Sequence, residues 1–192
     1  MSHRPLSRGT LIWSGEHWIN YLRPPDSDAD TGMVSLYHAY YSPAGQGTTA
    51  CVSINGDPGF AAVCTDNPEF AEFILDTMIR GGGGPFDTDL SVVDAQFSRG
   101  GDIRSNPSWH IVAGDQRIRA TWSKIQPQLV GPPTIHPRIV FTVLCFTDEG
   151  SIELNGQSVA GQPYPREAWS QNLGKPHSSC VFALAETMIA AE

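Results

Sequence analysis

Charged side chains are scarce in this chain. They make up 17% of its 192 residues, and acids outnumber bases enough to give a formal net charge of −8. No run of Lys or Arg supplies the basic patch that a nucleic acid or an anionic membrane requires, so we expect neither as a partner. A disordered or coiled-coil chain carries far more charge, and the composition therefore predicts a folded, acidic globular protein.

Cysteine is also scarce, and no apolar run approaches the roughly 20 residues of a membrane-spanning helix. Cys51, Cys64, Cys145 and Cys180 lie in apolar, strand-like runs, and none belongs to a CxxC pair. That spacing disfavours a zinc site, and we expect no metal. Because the chain opens with Met-Ser-His-Arg-Pro and not with an apolar signal segment, we expect a cytoplasmic protein with reduced, buried thiols.

Motifs for nucleotides and nucleophiles are missing as well. The sequence has no GxSxG elbow, no Rossmann fingerprint and no HxH, HxxxH or HExxH pair. Its glycine run, Gly81 to Gly84, follows a helix-like segment, whereas a phosphate-binding loop precedes one. We therefore expect no cofactor, and we interpret the glycine run as a loop or lid.

Turn residues and strand-like runs are abundant instead. The chain has 19 Gly and 15 Pro, and Asn55-Gly56 and Asn155-Gly156 are typical of tight hairpins. Residues of alternating polarity predict about nine or ten strands with no internal repeat. The main predicted strands are Thr10–Trp13, Met33–Tyr41, Thr48–Ile54, Phe60–Thr65, Leu90–Phe97, Trp109–Ala113, Arg117–Ile125, Arg138–Phe146, Ser151–Leu154 and the final run from Ser178.

One segment predicts a helix. Asn67-Pro68-Glu69 combines a capping side chain, a proline at the first helical position and an acid in the first turn. Apolar residues then recur at helical spacing as far as Arg80, where the glycine run ends the pattern.

These elements predict one domain over residues 1–192. Its expected fold is mainly β, an antiparallel calycin-like (lipocalin-type) barrel with one packed α-helix. The run from Ile139 to Phe146 is apolar on both faces, so it must be covered on both sides. A β-sandwich with a filled core is the alternative.

Glu186 is the most informative ionisable residue, because it lies in an otherwise apolar final run. In a regular strand it shares a face with Phe182 and Met188. A carboxyl group in apolar surroundings needs a partner, a raised pKa or a wet rim. Glu186 is therefore either the frayed end of a strand or a general acid or base, with His38 or a tyrosine as its counterpart.

Other candidate residues lie in the same kinds of strand. His38 and His110 suit proton transfer because the histidine pKa lies near neutrality, although a structural histidine is the other interpretation.

Tyrosine, tryptophan and phenylalanine rings also recur in the predicted strands. Such rings line apolar pockets, but they also fill cores. The candidate ligand-binding residues are Tyr37, Tyr40, Asp94, Trp109, Trp122 and Phe182.

The end of the chain resembles a known group of proteins. The segment Leu154-Asn155-Gly156-Gln157-Ser158-Val159-Ala160-Gly161, with Gly174 and the strand through Glu186, is similar to the C-terminal part of calycin-type barrels. The likeness includes the lipocalin-like domains of the hydroxyneurosporene synthase group. The resemblance implies an apolar pocket and the hydration, isomerisation or cyclisation of a hydrophobic substrate, with Glu186 as the one residue carried over.

Two functional hypotheses follow. The first is a cofactor-independent enzyme that acts on a small, largely apolar molecule in a barrel cavity by acid–base chemistry. The alternative is a non-catalytic carrier or sensor of a hydrophobic metabolite. Exposed strand edges would allow a homodimer.

Overall fold

The computed structural model describes residues 9–57, 59–130 and 138–191. Strands dominate these ranges, as the alternating sequence pattern predicts. The strands are β1 (Gly9–Leu22), β2 (Gly32–Tyr41), β3 (Gly47–Ile54), β4 (Phe60–Thr65), β5 (Val92–Asp94), β6 (Gln96–Gly100), β7 (Ser108–Ala113), β8 (Gln116–Ile125), β9 (Leu129–Val130), β10 (Arg138–Leu154), β11 (Gln157–Ser158), β12 (Pro165–Arg166), β13 (His177–Ser178) and β14 (Cys180–Ala191).

The predicted helix forms where its capping signals place it. Helix α1 (Pro68–Ile74) begins after Asn67, whose side chain accepts hydrogen bonds from the backbone N–H groups of Glu69 and Phe70. The helix continues as a π-helical turn, Leu75–Ile79, which confirms its predicted length. Gly81, with φ +72°, follows in the left-handed region that favours glycine.

A second helical segment lies between β12 and β13, where the sequence patterns predict no helix. A 3-10 turn at Glu167–Trp169 leads into α2 (Ser170–Leu173), which ends at Gly174 with φ +76°. Within the described ranges, no helix combines the length and the apolar character needed to cross a membrane.

The sheet is mostly antiparallel, with the order β5-β4-β3-β2-β1-β14-β10-β8-β7-β6. Its two end strands, β5 and β6, are consecutive in sequence and are joined through Ala95, whose N–H donates to Thr65 O at 2.8 Å. One segment therefore pairs with β4 through its first half and with β7 through its second half. The result is a nearly closed barrel of about ten strands, which confirms the predicted fold class and is compatible with a calycin-like fold.

Aromatic side chains fill the barrel interior. Trp18 stacks on Phe182 with the ring centroids 4.4 Å apart, and it meets Trp122 edge-on at 5.0 Å. Trp122 is fully buried and donates its indole N–H to Ile19 O at 2.8 Å. The described interior is therefore a packed core.

A second apolar layer lies outside the barrel wall. Phe70, Ile74 and Leu75 from the helical segment belong to one buried cluster with Cys51 and Val63 of the strands beneath them. The helix thus covers the outer face of the wall at β3 and β4. The expected cover over Ile139–Phe146 is incomplete, because Phe141 and Val143 on β10 remain 50% and 41% exposed.

A β-bulge in β14 changes which way Glu186 points. Gly15 of β1 pairs with Glu186, and His17 pairs with Ala183, so three residue steps on β14 oppose two on β1. The extra residue reverses the alternation of side chains beyond it.

The predicted orientation of Glu186 is therefore wrong with respect to Phe182 and correct with respect to Met188. Phe182 belongs to the barrel interior, whereas Met188 packs with Val181 and Ala183 in the outer layer. Glu186 lies on that outer face, because the bulge falls between it and Phe182.

Candidate functional site

A partly open apolar pocket of about 220 Å³, here called the outer pocket, lies against the outer face of the barrel wall. Strands β1, β10 and β14 form its floor, and the π-helical turn and the α2 segment form its sides. Its apolar lining residues are Ile19, Met78, Val140, Leu144, Trp169, Leu173, Val181, Phe182, Ala183 and Met188.

Three polar side chains reach this apolar surface: Glu186, His17 and Thr142. Glu186 is only 6% exposed. Thr142 lies directly opposite Glu186 on β10, and its buried Oγ1 has no hydrogen-bond partner among the described residues. A few convergent polar groups in an apolar pocket are typical of a small-molecule site.

Glu186 and His17 form a pair. The distance between Glu186 Oε1 and His17 Nδ1 is 3.6 Å. The opposite ring nitrogen, Nε2, lies 3.3 Å from Ser35 Oγ, and the imidazole stacks on Tyr37 with the centroids 4.2 Å apart. The histidine is thus held in a fixed orientation beside a buried carboxylate, an arrangement suited to acid–base chemistry.

A second pocket of about 170 Å³, the adjoining pocket, lies next to the outer pocket and shares His17, Ile19 and Met78 with it. Ser35 and Arg166 line it, together with the glycine-rich segment that follows the π-helical turn.

The hydroxyl groups of Tyr21 and Tyr37 lie close to Ser35 in the adjoining pocket. Burial raises the pKa of Tyr37 and of Tyr21. Both phenols therefore stay protonated near neutral pH and can donate hydrogen bonds.

A different carboxylate occupies the inner face of β1. Glu16 is buried and accepts hydrogen bonds from Trp18 Nε1 at 2.9 Å, from the Tyr40 hydroxyl and from an Arg99 nitrogen at 2.6 Å. This carboxylate is fully engaged by its neighbours.

His38 lies beside this inner cluster and not beside Glu186. Its Nδ1 is 2.9 Å from Thr48 Oγ1, and its ring lies 5.7 Å from the Trp109 ring. Burial and the nearby Arg99 guanidinium lower the pKa of His38. The structure therefore does not bring His38 to Glu186, its expected counterpart.

The predicted ligand-binding residues fall into separate places. Tyr37 belongs to the site around Glu186, whereas Tyr40 and Trp109 lie near Glu16. Trp122 lies in the packed interior, as does Phe182, which also borders the outer pocket.

Two further candidates lie outside both groups. Asp94 is exposed on β5. His110 alternates with the buried residues Trp109 and Ile111, so it points outward, with Nε2 3.4 Å from Ser108 Oγ.

Sequence patterns alone do not single out His17, Ser35 or Arg166. The alternation of β1 was the available signal for His17, because it places this residue with Ile19 and Tyr21 on one face and Trp18 on the other. No sequence pattern points to Arg166, because it lies in the two-residue strand β12, which is too short to show alternation.

Metal chemistry gains no support from the described residues, which contain no group of three His, Cys, Asp or Glu side chains placed to hold an ion. No protein-family model matches this chain, and no curated protein and no solved structure is significantly similar to it.

Proposed function

We propose that the outer pocket binds a small, largely apolar molecule and that Glu186 exchanges a proton with it. The reaction is cofactor-independent acid–base chemistry: an isomerisation, a hydration or a cyclisation. The observation that carries this proposal is the buried Glu186 carboxylate, 3.6 Å from the His17 ring, in a pocket whose other walls are almost wholly apolar.

The two side chains have different roles in this proposal. Glu186 faces the bound molecule and accepts a proton from one of its carbons. In an isomerisation, the same carboxyl group returns the proton to a second carbon, so that nothing is consumed. His17 is the positioning residue, since Ser35 and Tyr37 fix its ring while its Nδ1 faces the carboxylate.

The resemblance of the chain's end to the hydroxyneurosporene synthase group agrees with this chemistry. Hydration, isomerisation and cyclisation of hydrophobic molecules all need a proton donor or acceptor in apolar surroundings. Glu186 supplies that group here, although it does so on the outer face of the barrel wall and not in the expected barrel cavity.

A carrier or sensor is the second candidate function, and Thr142 favours it. The buried Thr142 hydroxyl has no partner among the described residues, so it can hold the polar end of a ligand without taking part in chemistry. In that case Glu186 only orients the ligand.

The substitution Glu186→Gln separates the two functions. An unconjugated medium-chain alkenone serves as the probe: binding is measured by calorimetry, and turnover by the absorbance of the conjugated isomer and by deuterium uptake from D₂O. We expect retained binding with turnover reduced about 10²- to 10⁴-fold. Unchanged binding and turnover would rule out a central role for Glu186.

Two neighbouring substitutions test the location of the pocket. Ala183→Phe places a ring in the outer pocket, whereas Leu184→Phe enlarges an adjacent side chain that is 38% exposed and lies outside the pocket lining. We expect only the first substitution to abolish probe binding. Equal binding by both variants would contradict the proposed site.

A further inference from the structure

We infer that the natural ligand is an amphipathic carboxylate whose anionic head is held by Arg166 in the adjoining pocket, while its apolar tail lies in the outer pocket. This inference rests on the proposed function and specifies its ligand class.

The two pockets form one groove that is divided by chemical character. They meet at His17, Ile19 and Met78, which line both. The outer pocket is mostly apolar, whereas the adjoining pocket contains Ser35 and Arg166. Either pocket alone is smaller than the roughly 300 Å³ at which ligand sites usually begin, and the two together exceed that size.

Arg166 is the cation of this groove. It is half-buried, and its guanidinium carbon lies 4.7 Å from the centre of the Tyr21 ring. Stacking on an aromatic face orients a guanidinium group and leaves the N–H donors at its edge available to a planar acceptor.

A second arginine provides an internal comparison. The Arg23 guanidinium lies 3.8 Å from the centre of the Tyr164 ring, and its Nε donates to Asp30 Oδ1 at 3.0 Å. Arg23 therefore has both an aromatic face and a carboxylate. Arg166 has the aromatic face, but none of the ion pairs among the described residues includes it. A ligand carboxylate would complete the same arrangement.

The charge balance of the groove favours a carboxylate over a phosphate. Arg166 is the one arginine or lysine in the lining of either pocket, and Glu186 contributes an acid to the same groove. One guanidinium matches one planar carboxylate in charge and shape, and a dianion would leave an excess of negative charge. Ser35 and the hydroxyl of Tyr21 add neutral donors beside it.

This placement determines which part of the ligand reacts. Ser35 and Glu186 lie at opposite nitrogens of the His17 ring. The His17 ring therefore lies between the Ser35 end of the groove, where the carboxylate head is placed, and the proton-transferring carboxyl group. The reacting carbon therefore belongs to the apolar tail and not to the position next to the carboxylate.

Calorimetric titration of the full chain with decanoate, decanol and decyl phosphate tests the inference. We expect decanoate to bind wild type at least about tenfold more tightly than decanol, since charge-assisted hydrogen bonds contribute that much. Arg166→Gln should remove the preference, and Arg166→Lys should restore part of it. Arg23→Gln, the matched control with the same kind of stacking, should keep it, and thermal melting of each variant checks that it is folded.

The possible failures are distinguishable. Equal binding of decanoate and decanol to wild type, both blocked by Ala183→Phe, would overturn the carboxylate inference and leave the proposed site intact. Tighter binding of decyl phosphate would overturn the choice of head group. Failure of all three probes to bind would contradict the proposed function together with the inference.

Discussion

Glu16 and His17 are neighbours in the chain, and their side chains reach opposite faces of the barrel wall. Glu16 points inward, where Arg99 and Trp18 donate to its carboxylate. His17 points outward, where it faces Glu186 at 3.6 Å. Strand β1 therefore places a hydrogen-bonded carboxylate on the inner face of the wall and the histidine of the candidate site on the outer face.

This separation predicts opposite effects for two Glu→Gln substitutions. Glu16→Gln loses charge-assisted hydrogen bonds and should lower the free energy of unfolding by about 1.5–3 kcal/mol. Its effect on turnover of the alkenone probe should be small. Urea unfolding and the turnover assay measure both quantities, and Glu186→Gln, for which we expect a loss of turnover, is the matched comparison. A loss of turnover in Glu16→Gln with unchanged stability would contradict the assignment.

The filled interior leads to a prediction for Trp122. Trp122→Phe removes the indole N–H that donates to Ile19 O, and leaves that buried carbonyl without its side-chain donor. We expect the free energy of unfolding to fall by about 1–3 kcal/mol, with the affinity for the probe unchanged. A folded variant with much weaker binding would indicate a ligand inside the barrel.

The stability of the protein should fall in mild acid because of His38. Burial and Arg99 lower its pKa in the folded state below the ordinary value of 6.5. The unfolded chain therefore binds the proton more strongly, so the stabilisation present above pH 6.5 is lost as the pH falls through the lower, folded-state pKa.

The measurement is the free energy of unfolding from about pH 7.5 to about pH 5.5. His38→Gln should show a smaller decrease over this window than wild type does. Identical slopes for the two proteins would show that His38 does not contribute to the pH dependence.

The thiols should be unreactive in the native protein. All four cysteines are free and buried, and burial raises the pKa of Cys51, Cys64 and Cys180 to about 12. A thiol reagent at about pH 8 attacks the thiolate, so we expect no reaction before unfolding and reaction of all four thiols in guanidinium. Rapid reaction of any thiol in the native state would contradict the packing described here.

Local sequence signals predict much of this fold. The cap at Asn67 marks the start of the helix, and the alternation of Phe60–Thr65 gives the bounds of β4 as observed. The expected break between Phe146 and Ser151 does not occur, because the pairing of β10 passes from β14, which pairs with residues 138–146, to β8, which pairs with residues 147–154.

The candidate site is only partly predictable, and the bulge explains why. The sequence identifies Glu186 as unusual, but its direction depends on one extra residue in β14, which is specified by pairing with β1 and β10. The alternation of apolar and polar residues along a sequence does not reveal such an insertion. The same limit applies to Arg166, which reaches the groove through tertiary packing.

The most direct test of the account is where a bound molecule contacts the protein. Nuclear Overhauser effects between decanoate and labelled methyl groups distinguish the two faces of the barrel wall. We predict contacts to Val140 and Leu144, which line the outer pocket, and none to Ile111 and Ile118, which lie in the interior. Contacts to the interior methyl groups, with none to Val140 and Leu144, would contradict the central claim.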